Sequence, residues 1–129
     1  GDRAAIHDIT FEDIRVEVDE KNYPLLIQKT KEEKYPVDAP LFQPKLLVLE
    51  ITKTGWSVDT ERGTMRDIRL KDIQVLGPYL PESRISGNDA EHRVERVTLE
   101  NLSHNGEKIK TLDEGKIIVK DYTDAIVIR

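Results

Sequence analysis

Cysteine is absent from this chain, which removes disulfides and cysteine-based zinc sites from its chemistry. The compartment stays open, because cysteine-free domains occur on both sides of membranes. Aromatic residues are scarce, at 5% with a single tryptophan, so the core has to be aliphatic. No apolar run approaches the ~20 residues that cross a bilayer as a helix, and no membrane partner is expected. Basic charge is also short: 20 Lys and Arg face 25 Asp and Glu, for a net charge of −5. Phosphate binding needs concentrated Lys and Arg, whereas here both signs are interspersed, so no nucleic-acid partner is expected. The chain opens on Gly1-Asp2 close before a strand pattern and reads as a trimmed fragment. Its start is therefore silent on where the parent protein lives.

What is present is a 129-residue chain with 37% hydrophobic and 35% charged residues. That balance spreads thin apolar faces over much solvated surface and suits an elongated all-β body. No stretch carries an apolar period of 3.6 over ten residues, so little helix is expected. Without a linker or low-complexity tract, residues 1–129 read as one domain.

Three segments repeat one pattern: Ile9-Thr10-Phe11-Glu12-Asp13-Ile14-Arg15-Val16, Ile68-Arg69-Leu70-Lys71-Asp72-Ile73-Gln74-Val75, and Val97-Thr98-Leu99-Glu100-Asn101-Leu102-Ser103-His104. In the first, Ile9 and Phe11 alternate on odd positions but Ile14 and Val16 on even ones. A straight strand cannot change phase, because its side chains alternate with a period of two. The change falls at Asp13, Asp72 and Asn101. Asp and Asn tolerate left-handed backbone and bond nearby amides, so each repeat reads as strand, corner, strand. At that corner the chain is expected to pass from one sheet to the next, and stacking is expected to align the three corner residues as a ladder. The third copy breaks the apolar rule at His104.

The copies are spaced unevenly: 59 residues from Ile9 to Ile68, then 29 from Ile68 to Val97. The second spacing is one coil of a strand-built solenoid. The first is two coils, or one coil carrying an insertion. The insertion is preferred, placed at residues 31–44, where Lys31-Glu32-Glu33-Lys34 precedes Pro36 and Pro40. Further strands are expected at Lys45–Ile51, Leu25–Gln28, Arg84–Ser86, Lys116–Lys120 and Ala125–Ile128. The predicted fold class is all-β, a parallel β-helix of about three to four coils with one long inserted loop.

The run Ser83-Arg84-Ile85-Ser86-Gly87-Asn88-Asp89-Ala90-Glu91-His92-Arg93-Val94-Glu95-Arg96-Val97-Thr98-Leu99-Glu100-Asn101-Leu102, with Asn105-Gly106-Glu107-Lys108 after it, resembles late coils of pectin-degrading β-helix enzymes. The polygalacturonase-like glycoside hydrolases, bacterial ones among them, are the family it is most similar to. Ile9–Val16 and Ile68–Val75 share the coil style, and the likeness covers about two thirds of the chain as a pattern. It implies a right-handed solenoid, a secreted or periplasmic parent, and polysaccharide as the partner of that parent. The family's Asn-Thr-Asp, Asp-Asp, Gly-His-Gly and Arg-Ile-Lys motifs do not occur; Lys108-Ile109-Lys110 lacks the arginine. The resemblance therefore implies a C-terminal, capping part of such an enzyme, with the acid and base upstream of Gly1 and no catalytic residue here. A solenoid end is a sticky edge, so a homo-oligomer by coil-end stacking is expected.

The residues weighed for carbohydrate binding are Trp56, Asp59, Arg62, Asp89 and His92. A tryptophan stacks on sugar faces, although a lone one more commonly covers the edge of a core. The Gly87-Asn88-Asp89 turn with His92-Arg93 is able to orient a sugar hydroxyl, while its plainer role is to cap backbone amides. Asp8, Glu12, Glu17, Glu91, Glu95 and Glu100 fall on faces expected to be solvated. His7, His92 and His104 lack ligand spacing, so no metal is expected, and with no phosphate loop or serine elbow no cofactor is expected either. The competing reading is a non-catalytic β-sandwich that binds carbohydrate or protein, for which antiparallel hairpins are the discriminating feature.

Overall fold

The computed structural model describes residues 2–19 and 44–129. Its strands are β1 (Ala5–Glu17), β2 (Val48–Glu50), β3 (Thr64–Leu76), β4 (Ser83–Ser86), β5 (Val94–His104), β6 (Glu107–Lys108), β7 (Ile117–Val119) and β8 (Thr123–Ile128). No helix occurs among the described residues. One sheet joins β1, β3, β5 and β8 by parallel pairing, and a second joins β2, β4 and β7, also in parallel. Among the described residues, antiparallel pairing is confined to β5 with the two-residue β6. Apart from β6, the chain visits the two sheets alternately.

Register follows the repeat. Ile9 pairs with Ile68, Ile68 with Val97, and Val97 with Ile126. The 59-residue spacing thus separates adjacent strands, as an insertion between β1 and β2 requires. The predicted strand Leu25–Gln28 and all of the predicted loop except Pro44 lie outside the described residues. The strands expected over Lys45–Ile51 and Lys116–Lys120 pair over the shorter spans β2 and β7.

Like residues stack across the first sheet: Phe11 on Leu70 on Leu99 on Ile128, and Ile14 on Ile73 on Leu102. In the second sheet Leu49 stacks on Ile85 and Ile85 on Val119. The inner members of these columns belong to the core, in which Val75, Ile85, Val94 and Val97 are fully buried, while Phe11, Ile14 and Val119 at the column ends are exposed. Removing a Val, Leu or Ile side chain from water contributes about 1.5–3 kcal/mol, so aliphatic columns substitute for the missing aromatics. His104 continues the column of Val16 and Val75, half-buried, and donates from Nε2 to the Gly77 carbonyl at 3.0 Å. Its polar ring is therefore accommodated at the rim.

The corners are real, with one correction. Asp13, Asp72 and Asn101 have φ of 55°, 54° and 56°, and Asn101 Nδ2 donates to Asp72 Oδ1 at 2.6 Å. Yet β1, β3 and β5 each run through this corner within one sheet, so the chain bends there without changing sheets. A left-handed residue turns the strand and resets its phase, while the ladder hydrogen bonds resume on the other side. A second left-handed column stands one short strand earlier: Asp8, Asp67, Arg96 and Ala125, with φ between 51° and 55°. There Arg96 holds Asp67 through two bonds, at 2.6 and 2.9 Å.

Left-handed backbone costs an ordinary L-residue about 1–2 kcal/mol, and a β-branched one more. Asn101→Val is therefore expected to lose about 2 kcal/mol of stability, and Asn101→Gly less than half of that. Urea unfolding with an unchanged m-value checks both.

Candidate functional site

Two loops between the sheets meet at one end of β1. The first spans residues 52–63 and carries Trp56, Asp59 and Arg62; the second spans 87–93 and carries Asp89 and His92. Each is held by local polar bonds before they meet. Thr54 accepts from the Ser57 amide through its carbonyl at 3.1 Å and from the Trp56 amide through Oγ1 at 3.2 Å. Ser57 Oγ in turn accepts from the Thr54 amide at 3.1 Å. This clasped turn presents Trp56 and Val58 at 92% and 96% exposure. Trp56 therefore does not cover the core, which is the commoner use of a lone tryptophan.

The base of the first loop is charged and ordered. Asp2 accepts from the amides of Val58 at 2.9 Å and Asp59 at 3.2 Å and pairs with Arg62, whose side chain is buried. Arg62 also donates to the Asp59 carbonyl, and Arg3 donates to both Asp59 carboxylate oxygens. The Arg3 bond, followed by the Glu61 amide, holds the Asp59 carboxyl well below the usual range. Burial of Arg62 is tolerated because its charge is both paired and hydrogen-bonded.

In the second loop Asp89 organises everything around it. Its Oδ1 accepts from the amides of Glu91 at 2.9 Å and His92 at 3.0 Å, and Asn88 Nδ2 donates to Oδ2 at 2.6 Å. His92 Nδ1 donates to the same carboxylate, lying 2.8 Å from Oδ1 and 2.9 Å from Oδ2. That bond comes first among the causes holding the Asp89 carboxyl well below its ordinary value. With Nδ1 committed, Nε2 faces outward and lies 3.6 Å from Glu61 Oε2 of the first loop.

The two loops border an open, shallow hollow of about 310 Å³, lined by Arg3, Glu61, Arg62, Thr64, Glu91 and His92. Of the five residues expected from the sequence, Arg62 and His92 line it, Asp59 and Asp89 stand behind them as orienting groups, and Trp56 projects apart. Asp2, Arg3 and Glu61 were not anticipated. Their partners lie some 30 to 60 residues away, as with Arg62 and Asp2 at 60, and no local pattern signals such a pairing. The hollow offers a fixed imidazole nitrogen beside a carboxylate, a pair suited to bridging neighbouring hydroxyl groups. Among the described residues no group of three or more His, Asp or Glu is placed to hold a metal ion.

Among the described residues, two further concavities involve the sheets. One, of about 380 Å³, lies on the outer face of the first sheet over Asp8, Thr10, Asp67, Arg69, Arg96 and Thr98. The other, about 230 Å³ and apolar, opens between the sheets beside Phe11, Ile14, Leu46, Leu47, Ile73 and Leu102. Asp8, Glu12, Glu17 and Glu91 are exposed as expected, whereas Glu95 and Glu100 are half-buried and paired with arginines.

These features define an all-β protein of two parallel-stranded sheets with a polar, loop-built hollow. No family profile, no curated protein and no solved structure matches the chain.

Several carboxylates here share one electrostatic signature, which sets an acid limit. Asp59, Asp67, Asp72, Asp89 and Glu100 are all held below their ordinary values, first by Arg3, Arg96, Asn101, His92 and Arg69 respectively. A lowered folded-state value stabilises the fold above the unfolded value and is lost as pH falls through the folded one. Thermal midpoints followed by circular dichroism should therefore be level from about pH 8 to 5 and fall steadily below about pH 4.

Proposed function

We propose that the chain forms coils of a right-handed parallel β-helix and acts as a structural, non-catalytic part of a polysaccharide-acting protein of the polygalacturonase-like kind. The observation that carries this reading is the parallel register at one constant step, Met65 to Val94 to Thr123 and Ile68 to Val97 to Ile126. Parallel strands joined by crossovers through a second sheet follow a right-handed path in about 98% of known cases. The two left-handed columns supply the repeated bends that a coil needs. The sandwich alternative depends on antiparallel hairpins, and the pairing between β5 and β6 is too short to supply them.

In this reading the coils extend and cap the solenoid and line one wall of a polysaccharide groove, and the acid and base of hydrolysis lie upstream of Gly1. The setting of such a protein is extracellular or periplasmic. Trp56 and the hollow at Arg62 and His92 serve as contacts for the sugar chain: the indole offers a flat apolar face, and the hollow offers a donor–acceptor pair. The test compares this chain with its longer natural reading frame against polygalacturonate and related plant polysaccharides. Cleavage by the longer protein alone, with retardation of this chain in polygalacturonate-containing gels that Trp56→Ala removes, is the expected result. Cleavage by this chain alone overturns the assignment, and so does a longer protein inert on every polysaccharide tried.

A further inference from the structure

Of the asparagines in the chain only Asn105 is followed by glycine. Asn105 and Gly106 form the two-residue turn between β5 and β6, with φ of 49° and 85°, and His104 pairs with Glu107 across it. Positive φ at both turn residues is the hairpin geometry that favours Asn-Gly. The same dipeptide has a chemical liability. With no side chain on Gly106, nothing shields its amide nitrogen from the carboxamide carbon of Asn105.

Two bonds hold that carboxamide elsewhere. Its Oδ1 accepts from the Gly77 amide at 3.0 Å and its Nδ2 donates to the Gly77 carbonyl at 2.8 Å, so the side chain lies along the Gly77 peptide as a neighbouring strand would. The backbone is tied as well, with the Asn105 amide on the Val75 carbonyl at 2.9 Å. We propose that Asn105 is a site of spontaneous deamidation gated by this clamp. Closed, the clamp keeps the carboxamide intact; open, it releases the carboxamide to the Gly106 nitrogen, and the product does not close the clamp again.

The chemistry needs only hydroxide and water. The Gly106 amide nitrogen, having lost its proton to hydroxide, attacks the Asn105 side-chain carbonyl carbon. A new N–C bond closes a succinimide, the Cγ–Nδ2 bond breaks, and the nitrogen leaves as ammonia with a proton from water. Water then opens the ring at either carbonyl, giving aspartate or isoaspartate, and nothing is oxidised or reduced. Ring closure turns the carboxamide across the Gly106 amide, a rotation that breaks both bonds to Gly77.

The product is unsuited to the clamp. Aspartate still accepts from the Gly77 amide but sets a second oxygen against the Gly77 carbonyl, where Nδ2 had donated. Isoaspartate in addition lengthens the backbone of a two-residue turn. Deamidation is therefore an irreversible record of the time the clamp between the end of β3 and the β5–β6 turn has stood open. Asn88 and Asn101 precede Asp89 and Leu102, whose side chains crowd the attacking amide. The inference goes beyond the proposed function and does not depend on it.

Mass spectrometry tests it on the whole chain, kept in mildly alkaline buffer either folded or in strong urea and then digested with trypsin. Cleavage after Arg96 and Lys108 places Asn105 and Asn101 on one peptide, so Asn101 is an internal control. In urea Asn105 should deamidate well ahead of Asn101. In the folded chain its rate should drop about 30-fold or more, the effect of two hydrogen bonds that must break together. Amide exchange at Gly77, whose hydrogen bonds to Asn105, reads the same opening and should be protected to within about tenfold of that factor. Asn105→Asp, the product made directly, should lower the melting temperature by about 5 °C or more. Equal rates in folded and unfolded chain, no preference for Asn105 over Asn101 in urea, or an Asn105→Asp variant that melts like the parent each overturn the inference.

Discussion

Gly77→Ala should lower the melting temperature by about 10–15 °C. Gly77 follows β3 with φ of 133°, a region L-residues rarely enter, and a Cβ there falls 2.3 Å from the Val18 carbonyl oxygen and 3.0 Å from Val18 Cβ. The obstacle is backbone, fixed by the Val18 amide on the Leu76 carbonyl at 2.8 Å. On its other side the Gly77 peptide is clamped by Asn105, which accepts from its amide at 3.0 Å and donates to its carbonyl at 2.8 Å. Neither neighbour yields without losing hydrogen bonds. Backbone strain of about 1–3 kcal/mol adds to the displacement, for a total of about 3 kcal/mol or more. Gly106→Ala separates the two contributions: its φ is 85° but nothing lies within 4 Å of the added methyl, so about 1 kcal/mol is expected. Gly55→Ala, also in open space, should be neutral or slightly stabilising. Differential scanning calorimetry of the three variants reads the series directly, and equal losses at Gly77 and Gly106 would overturn the close approach of Val18.

The second large effect is expected at Ile85. It is fully buried on the central strand of the second sheet, between Leu49 and Val119 of the same inward column. Ile85→Ala removes buried methylene groups and leaves a cavity walled by strands on both sides, a loss of about 2–5 kcal/mol. Ile118 stands one residue away in register, in the outward column of Val48 and Arg84, and is 39% exposed. Ile118→Ala should cost less than about 1 kcal/mol. Since side chains alternate with a period of two, a slip of one residue in β7 exchanges inward and outward columns. Equal urea midpoints for the two variants would show the assigned register to be wrong.

The repeat was legible in the sequence because a backbone requirement imposed a residue type on it. Asp13, Asp72 and Asn101 sit at left-handed corners, where few residues other than Asp, Asn and Gly are comfortable, and the apolar phase changes beside each of them. The other column, Asp8, Asp67, Arg96 and Ala125, has the same backbone but no shared chemistry. Arg96 and Ala125 carry no turn preference, and their conformation is imposed by the strands stacked on each side. For the same reason the strand expected at Ala125–Ile128, observed as Thr123–Ile128, was legible as a strand but not as a fourth copy of the repeat: its corner residue is alanine.

The candidate site divides in the same manner. Asp89 and His92 were visible as one knot, because a turn of three or four residues is a local object whose bonds are made within it. Trp56 was visible only as a residue with two possible uses, and its exposure depends on how the Thr54–Ser57 turn stands off the body. That Arg62 is buried against Asp2, and that Glu61 faces His92, depends on which loops the strand register brings to one end of β1.

By itself, then, the sequence determined what short-range physics controls: an aliphatic β-protein, the phase change at each Asx corner, the 29-residue step between repeats and the turn at Asp89. The tertiary structure settled in favour of the insertion the 59-residue spacing that the sequence left with two readings, and it alone decided that the bend stays within one sheet and that two separate loops share a hollow. Those outcomes rest on pairing and packing between distant segments, whose free energy is a property of the stacked strands together and of no single stretch of chain.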